Sequence, residues 1–209
     1  MIVEEIMNKN LKTITPDTTI SEAIKIMALN KIRHLPVTDP YHCLVGIISD
    51  RDIRDASPSI FNQEDKSQYS AKVDTIMTMH MITGTPLDFV EDVAALFYEF
   101  KISCLPILAD EKLVGIITES DLLRTLMHMT GANEPSSHIE LKLAHRPGSL
   151  CQIIQVFQKR DLNILNILLY PSKDEGFKRL VIRTRLMNTD ELVKELLEKG
   201  FEVLWPRKK

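Results

Sequence analysis

The sequence predicts an α/β chain of the α+β type: two β-α-β-β-α repeats packed as a pseudo-twofold pair, followed by a βαββαβ unit. Three observations predict it. A pattern of apolar and polar residues recurs about 70 residues further on. A Gly-, Pro- and Ser-containing stretch without periodicity follows the second copy. Beyond it the apolar spacing changes character. The boundaries that follow are 1–70 for repeat one, 71–130 for repeat two, a linker at 131–137, and a third unit at 138–209.

The first copy runs Val3-x-x-Ile6-Met7, Pro16, His34-Leu35-Pro36-Val37, then Leu44-Val45-Gly46-Ile47-Ile48-Ser49-x-x-Asp52. The second runs Val73-x-x-Ile76-Met77, Pro86, Cys104-Leu105-Pro106-Ile107, then Leu113-Val114-Gly115-Ile116-Ile117-Thr118-x-x-Asp121. Within repeat one, Thr19-x-x-Glu22 is a capping box. After it Ile20, Ala23, Ile24 and Met27 line one helical face. Repeat two has Asp88-x-x-Glu91 at a similar place, then Val90, Val93, Ala94 and Phe97. Pro36 and Pro106 push the residue before them into extended geometry, so each marks a short strand. The β-branched runs at 44–48 and 113–117 predict buried strands, with helices starting at Ser49 and Thr118. Residues 55–72, punctuated by Pro58, read as a loop.

In the third unit Ile139, Leu141 and Leu143 alternate as in a strand. His145-Arg146-Pro147-Gly148 forms a turn, and Ser149 is placed to cap a helix carrying Leu150, Ile153, Ile154 and Phe157. Two β-rich runs, 162–170 and 177–186, flank a hairpin signature at 171–176. Asn188/Thr189 opens a helix through Leu192, Leu196 and Leu197 that ends at Gly200, and 201–204 closes the unit as a strand. This order is the ferredoxin-like arrangement.

No run of about 18 apolar residues occurs, so no membrane partner is expected. Met1-Ile2-Val3-Glu4-Glu5 lacks the basic and apolar parts of a secretion signal. Cys43, Cys104 and Cys151 are scattered, which argues against disulfides or zinc and for a cytoplasmic setting. Residues 1–137 carry 12 Lys/Arg against 20 Asp/Glu, and 138–209 carry 14 against 9. The acidic first part argues against a nucleic-acid partner. The basic charges of the last part alternate with acids, as on a solvated face.

Gly-Ile-Ile-[Ser/Thr]-x-x-Asp, present twice, is the sharpest local feature. Gly46 and Gly115 allow another group to approach the backbone. Ser49 and Thr118 stand where a strand turns into a helix, and the unpaired N–H groups there suit a phosphate. Asp52 and Asp121, one turn on, suit a ribose diol. The same pattern is also a plain helix cap, and one isolated copy would be read that way; its duplication shifts the weight towards a site. The six histidines are dispersed, and no HExxH, phosphate-loop or nucleophile-elbow motif occurs, so catalysis is not expected. Met27, Met77 and Met127 read as core.

Residues 1–128 resemble a tandem pair of CBS domains, the Bateman module. The resemblance implies an adenosine-containing ligand: AMP, ADP, ATP or S-adenosylmethionine. It implicates Thr13, Ile14, Thr15, Arg33, His34, Leu35, Pro36, Ser49 and Asp52, and likewise Thr83, Gly84, Thr85, Ser103, Cys104, Leu105, Pro106, Thr118 and Asp121. The Ser or Thr would contact phosphate and the Asp the ribose hydroxyls, while the backbone frames adenine. The family often has a basic residue where Arg33 stands; repeat two has Ser103, so two unequal sites are expected. Residues 138–206 resemble an ACT domain through Arg146-Pro147-Gly148-x-Leu150 and Leu162-Asn163-Ile164. That implies dimerisation and a ligand or interface at His145, Arg146, Pro147, Gly148, Asn163 and Ile164. His145 replaces the usual Asp or Asn, so dimerisation alone stands beside amino-acid binding. The order CBS–CBS–ACT, with the run from Ser49 to Ser59, resembles the acetoin utilization family AcuB. Together these imply a non-catalytic cytoplasmic sensor that forms a homodimer or higher homo-oligomer, requires no cofactor or metal, and acts on an unknown regulated protein. The alternatives are an interaction protein with unoccupied clefts or an enzyme of acetoin catabolism.

Overall fold

The computed structural model describes residues 1–56 and 67–207. The chain divides into two compact units, Met1–Leu122 and Leu123–Lys209. Most of the loop expected at 55–72, and the end of the run from Ser49 to Ser59, lie outside the described residues.

Repeat one contains α1 (Ile20–Asn30), β1 (His34–Thr38), β2 (Leu44–Ser49) and α2 (Asp50–Asp55). Repeat two contains α3 (Val90–Phe100), β3 (Cys104–Ala109), β4 (Lys112–Thr118) and α4 (Glu119–Thr130). Each β pair is an antiparallel hairpin, with Leu35 opposite Ile48 and Leu105 opposite Ile117. The expected first strand of each repeat shrinks to one bridging residue. Ile14 pairs in parallel with Val37, and Gly84 with Ile107. The next amides are diverted to side chains: Thr15 N–H donates to Thr18 Oγ1 at 3.1 Å, and Thr85 N–H to Asp88 Oδ2 at 2.7 Å. Pro16 and Pro86, which follow, have no N–H to extend a ladder.

Thr19 and Glu22 cap α1 reciprocally. Asp88 does not do this for α3. Its carboxylate is held by Thr85 N–H and Oγ1, and the N-cap position falls to Phe89, which offers no side-chain acceptor. Ile20, Ala23 and Met27 of α1, and Val90, Val93 and Phe97 of α3, are buried as the periodicity predicts. Met127 departs from the expected core and is exposed.

The leading segment of each repeat belongs to the core of the other. Val3 is fully buried among Val93, Phe97, Leu105, Ile107 and Ile117. Val73 is buried among Ile20, Ala23, Leu35, Val37 and Ile48. The backbone repeats this exchange. Val3 N–H donates to Asp88 O and Val73 N–H to Thr18 O, both at 2.9 Å. Asn8 bridges Ile116, and Thr78 bridges Ile47.

The second unit contains β5 (Ser137–Ala144), α5 (Ser149–Lys159), β6 (Ile164–Pro171), β7 (Phe177–Thr184), α6 (Asp190–Glu198) and β8 (Glu202–Trp205). The sheet order β6-β7-β5-β8 is that of the ferredoxin-like arrangement. Ile139, Leu141, Leu143, Leu180 and Ile182 bury one sheet face against Ile153, Phe157, Leu192 and Leu196 of the helices. Arg160 joins α5 to α6 through Glu195, 2.6 Å away. Ser149 does not cap α5. Gly148, at φ 83°, takes the N-cap position, and the Ser149 hydroxyl is buried without a hydrogen-bond partner.

Candidate functional site

Both strand-to-helix junctions of the first unit carry the same hydroxyl–carboxylate pair. Ser49 N–H and Oγ donate to Asp52 Oδ2 at 2.7 and 2.6 Å, and Asp52 N–H donates back to Ser49 Oγ at 3.3 Å. Thr118 N–H and Oγ1 donate to Asp121 Oδ2 at 2.9 and 2.6 Å. The strand residues expected beside them are in register: His34 lies opposite Ser49, and Cys104 opposite Thr118. The first helical amides reach back to the neighbouring strand entry. Asp50 N–H donates to Arg33 O at 2.9 Å and Glu119 N–H to Ser103 O at 3.2 Å.

The early segments close the other side. Ile14 N–H donates to Pro36 O at 3.1 Å and Thr38 N–H to Ile14 O at 2.9 Å. Gly84 repeats this with Pro106 and Leu108, both at 2.9 Å. Side chains of Leu35, Pro36, Leu105 and Pro106 are buried, whereas Thr13, Thr15, Arg33, Thr83 and Thr85 are exposed. Each repeat thus gathers its expected residues around one hairpin. A Cβ on Gly84 would come within 2.9 Å of Leu105 Cδ2 and Asp88 Oδ2, so a larger residue here would make those side chains shift, whereas repeat one accommodates Ile14 at the matching position.

The two sets differ where the sequences differ. His34 Nε2 lies 3.0 Å from Ser103 Oγ, so it reaches across to the other repeat. Burial, and then the Arg33 charge, push the His34 pKa down against the pull of Asp50, Asp52 and Glu119. Cys104 fills the matching position as a buried thiol. Burial, reinforced by the Asp121 charge, drives its pKa far up and keeps it protonated. Such a thiol is no nucleophile.

Gly46 and Gly115 do admit a close neighbour, but that neighbour is protein. A Cβ on Gly46 would lie 2.5 Å from Met77 Sδ, and one on Gly115 would collide with Met7. A groove of about 490 Å³ is lined by Thr13, Ile14 and Thr15 together with Thr18, Glu22, Lys25 and Ile26. The last four escaped the sequence reading. Their signal was the 22, 25, 26 spacing, which puts Glu22, Lys25 and Ile26 on one face of α1, with Thr18 just before the helix.

In the second unit a cavity of about 140 Å³ opens where β5 meets α5, and His145, Arg146 and Gly148 line it. Pro147, Asn163 and Ile164 are not among its walls; Ile164 packs on the core instead. Among the described residues no cluster of three or more His, Cys, Asp or Glu could hold a metal ion. No helix there is long and apolar enough to cross a membrane.

The CBS domain family model matches residues 3–59 and 73–128. A CBS domain-containing protein of Dictyostelium discoideum is 36% identical over 143 residues, 66% of this chain and 99% of that protein. An inosine-5′-monophosphate dehydrogenase of Methanocaldococcus jannaschii is 32% identical over 145 residues, but the chain spans only 27% of that enzyme. Among solved structures, a CBS domain pair in complex with 5′-methylthioadenosine and S-adenosyl-L-methionine is 31% identical, with a TM-score of 0.54; 64% of this chain and 98% of that one are covered. The CBS-pair protein CBSX2 in complex with AMP is 31% identical, with a TM-score of 0.53 over 60% and 96% of the two chains. A structure described as an acetoin utilization protein (AcuB) from Vibrio cholerae is 31% identical, with a TM-score of 0.54 over 61% and 92%. The chain belongs to the CBS-domain family, as a tandem CBS pair followed by a further small α/β unit.

Proposed function

We propose that the first unit is a non-catalytic sensor binding an adenosine-containing ligand: AMP, ADP, ATP or S-adenosylmethionine. The observation that carries this reading is the duplicated hydroxyl–carboxylate pair, each flanked by the same two backbone segments. Asp52 uses Oδ2 for its bonds to Ser49, so Oδ1 is the acceptor offered to a ribose diol. Ser49 and Thr118 face phosphate, and residues 13–15 with 33–36, or 83–85 with 103–106, frame adenine. Arg33 makes the first site the better one for a charged tail, with Ser103 in the equivalent place. The adenosine ligands of two similar structures support the reading. Signalling follows if ligand binds one arrangement of the repeats better than another. On this reading the second unit is an ACT domain for dimerisation or a second small ligand, the setting is the cytoplasm, the role is linked to acetoin utilization, and the regulated protein is unknown.

An interaction protein with unoccupied clefts is the second reading. It draws on the fact that both carboxylates already serve their own helix caps. Calorimetric titration with AMP, ATP and S-adenosylmethionine separates the two. The sensor reading expects binding by at least one of them. It expects Asp52→Ala or Asp121→Ala to weaken that binding by about tenfold or more, while each lost cap lowers stability by about 1 kcal/mol. Absence of binding leaves only the interaction protein, and affinity unchanged in both variants overturns the assignment of the two carboxylates to the ligand.

A further inference from the structure

We infer that His34 is a proton-linked latch between the two repeats: neutral, it holds Ser103; protonated, it holds a phosphate in the first cleft. This latch rests on the adenosine site proposed above and sets the pH dependence of that site. The ring stands between two partners. Its Nε2 lies 3.0 Å from Ser103 Oγ, 69 residues along the chain, so it ties the first repeat to the second. Its strand position is directly opposite Ser49 in the antiparallel hairpin. Side chains of such a pair leave the same face, with Cβ atoms about 5 Å apart. A phosphate held at Ser49 is therefore within reach of the same imidazole. Ser103 is also more than an anchor. Its carbonyl accepts the Glu119 N–H at 3.2 Å, at the start of α4 and next to Thr118 of the second cleft.

The charges around the ring decide which partner it takes. Arg33 precedes it in the chain, α2 presents Asp50 and Asp52, and α4 presents Glu119. Desolvation and the Arg33 charge outweigh the three carboxylates and keep the ring neutral. A phosphate reverses this balance. It brings a charge of about −1.5 to −2, and by pairing with Arg33 it also removes the repulsion that opposed protonation. The ring then takes a proton from solvent. A hydrogen bond from imidazolium to phosphate is charge-assisted and roughly twice as strong as the neutral one to Ser103, so the ring turns to the phosphate and releases Ser103. The second repeat cannot do the same. Cys104 stands in the matching position, and its buried thiol stays protonated and uncharged. Occupancy of the first cleft thus removes a tie at the residue that holds the first amide of α4, and by linkage the coupling between the clefts is reciprocal.

The test is calorimetric titration of the full chain with AMP, ATP and S-adenosylmethionine between pH 7.5 and 6, in two buffers of different ionisation heat. AMP or ATP should bind with proton uptake in the wild type, and His34→Asn should abolish that uptake. The ratio of wild-type to His34→Asn affinity cancels the titration of the nucleotide itself. It should rise about fivefold as pH falls from 7.5 to 6, because the bound state holds the extra proton more firmly. Ser103→Ala removes the competing partner and should tighten nucleotide binding about threefold; a tie that only supports the cleft would weaken it when lost. This variant carries the test if His34→Asn fails to fold. An affinity ratio that does not change with pH, or nucleotide affinity unchanged or weakened in Ser103→Ala, would each overturn the latch. Binding of S-adenosylmethionine but of neither nucleotide would overturn the latch alone. Binding of none of the three would overturn the adenosine site with it.

Discussion

His34 and Cys104 occupy matching positions at the head of β1 and β3, and the position withdraws both from solvent, Cys104 fully and His34 in part. For the thiol, burial means permanent protonation; for the imidazole, it means a preference for the neutral form. The His34 pKa is lowered in the folded state, so below the ordinary value of 6.5 the unfolded chain binds the proton more readily. Its stabilising contribution is therefore complete above that pH and is lost as pH falls towards the folded value. Melting temperature measured between pH 7.5 and about pH 5 should fall more steeply for the wild type than for His34→Asn. Equal slopes would show that His34 is not desolvated. The sequence showed that the two repeats differ here. It could not show that His34 turns to Ser103 of the other repeat, because that contact depends on how the hairpins meet.

Helix faces were legible at the level of elements, and helix ends were only partly so. Apolar spacing found α1 and α3 because burial selects the same side chains whatever lies opposite them. Capping depends on a single dihedral and on which acceptor is nearest. Thr19 and Glu22 close a reciprocal box on α1, whereas Phe89 holds the corresponding place on α3. Asp88 reads as a cap in the sequence, yet Thr85 is closer to it. Ser149 fails for a similar reason: the chain enters α5 through Gly148 in the left-handed region, which moves the cap one residue back. Thr19→Ala should cost about 1 kcal/mol in denaturant unfolding, and Phe89→Ala should show no capping loss. A Thr19→Ala cost within error of zero would mean that the α1 amides are satisfied by the crossing backbone alone, where Ile20 N–H already donates to Ala71 O at 2.9 Å.

For the whole molecule, the repeat was evident in the sequence but the exchange between its copies was not. Val3 and Val73 recur at the same spacing whether each packs on its own repeat or on the other, so pattern alone leaves the choice open. The structure resolves it through long-range contacts. Met7 fills the space over Gly115, and Met77 fills that over Gly46. The two glycines singled out as approach points for a ligand therefore serve to lock the repeats together, and the candidate site narrows to the hydroxyl–carboxylate pairs and their flanking backbone. The exchange also makes the two halves of the unit energetically dependent on each other. Truncating Val3 removes side-chain atoms from the core formed by Val93, Phe97, Leu105, Ile107 and Ile117. Val3→Ala should cost about 2 kcal/mol, and the loss should be felt more than 80 residues away in sequence. Hydrogen exchange read by mass spectrometry or NMR should quicken first in β3 and β4 for Val3→Ala, and first in β1 and β2 for Val73→Ala. Quickening confined to the mutated repeat in each variant would show that the leading segments pack locally. A unit held by exchanged segments has no independent halves, so a ligand that orders one hairpin necessarily acts on the core that the other repeat completes.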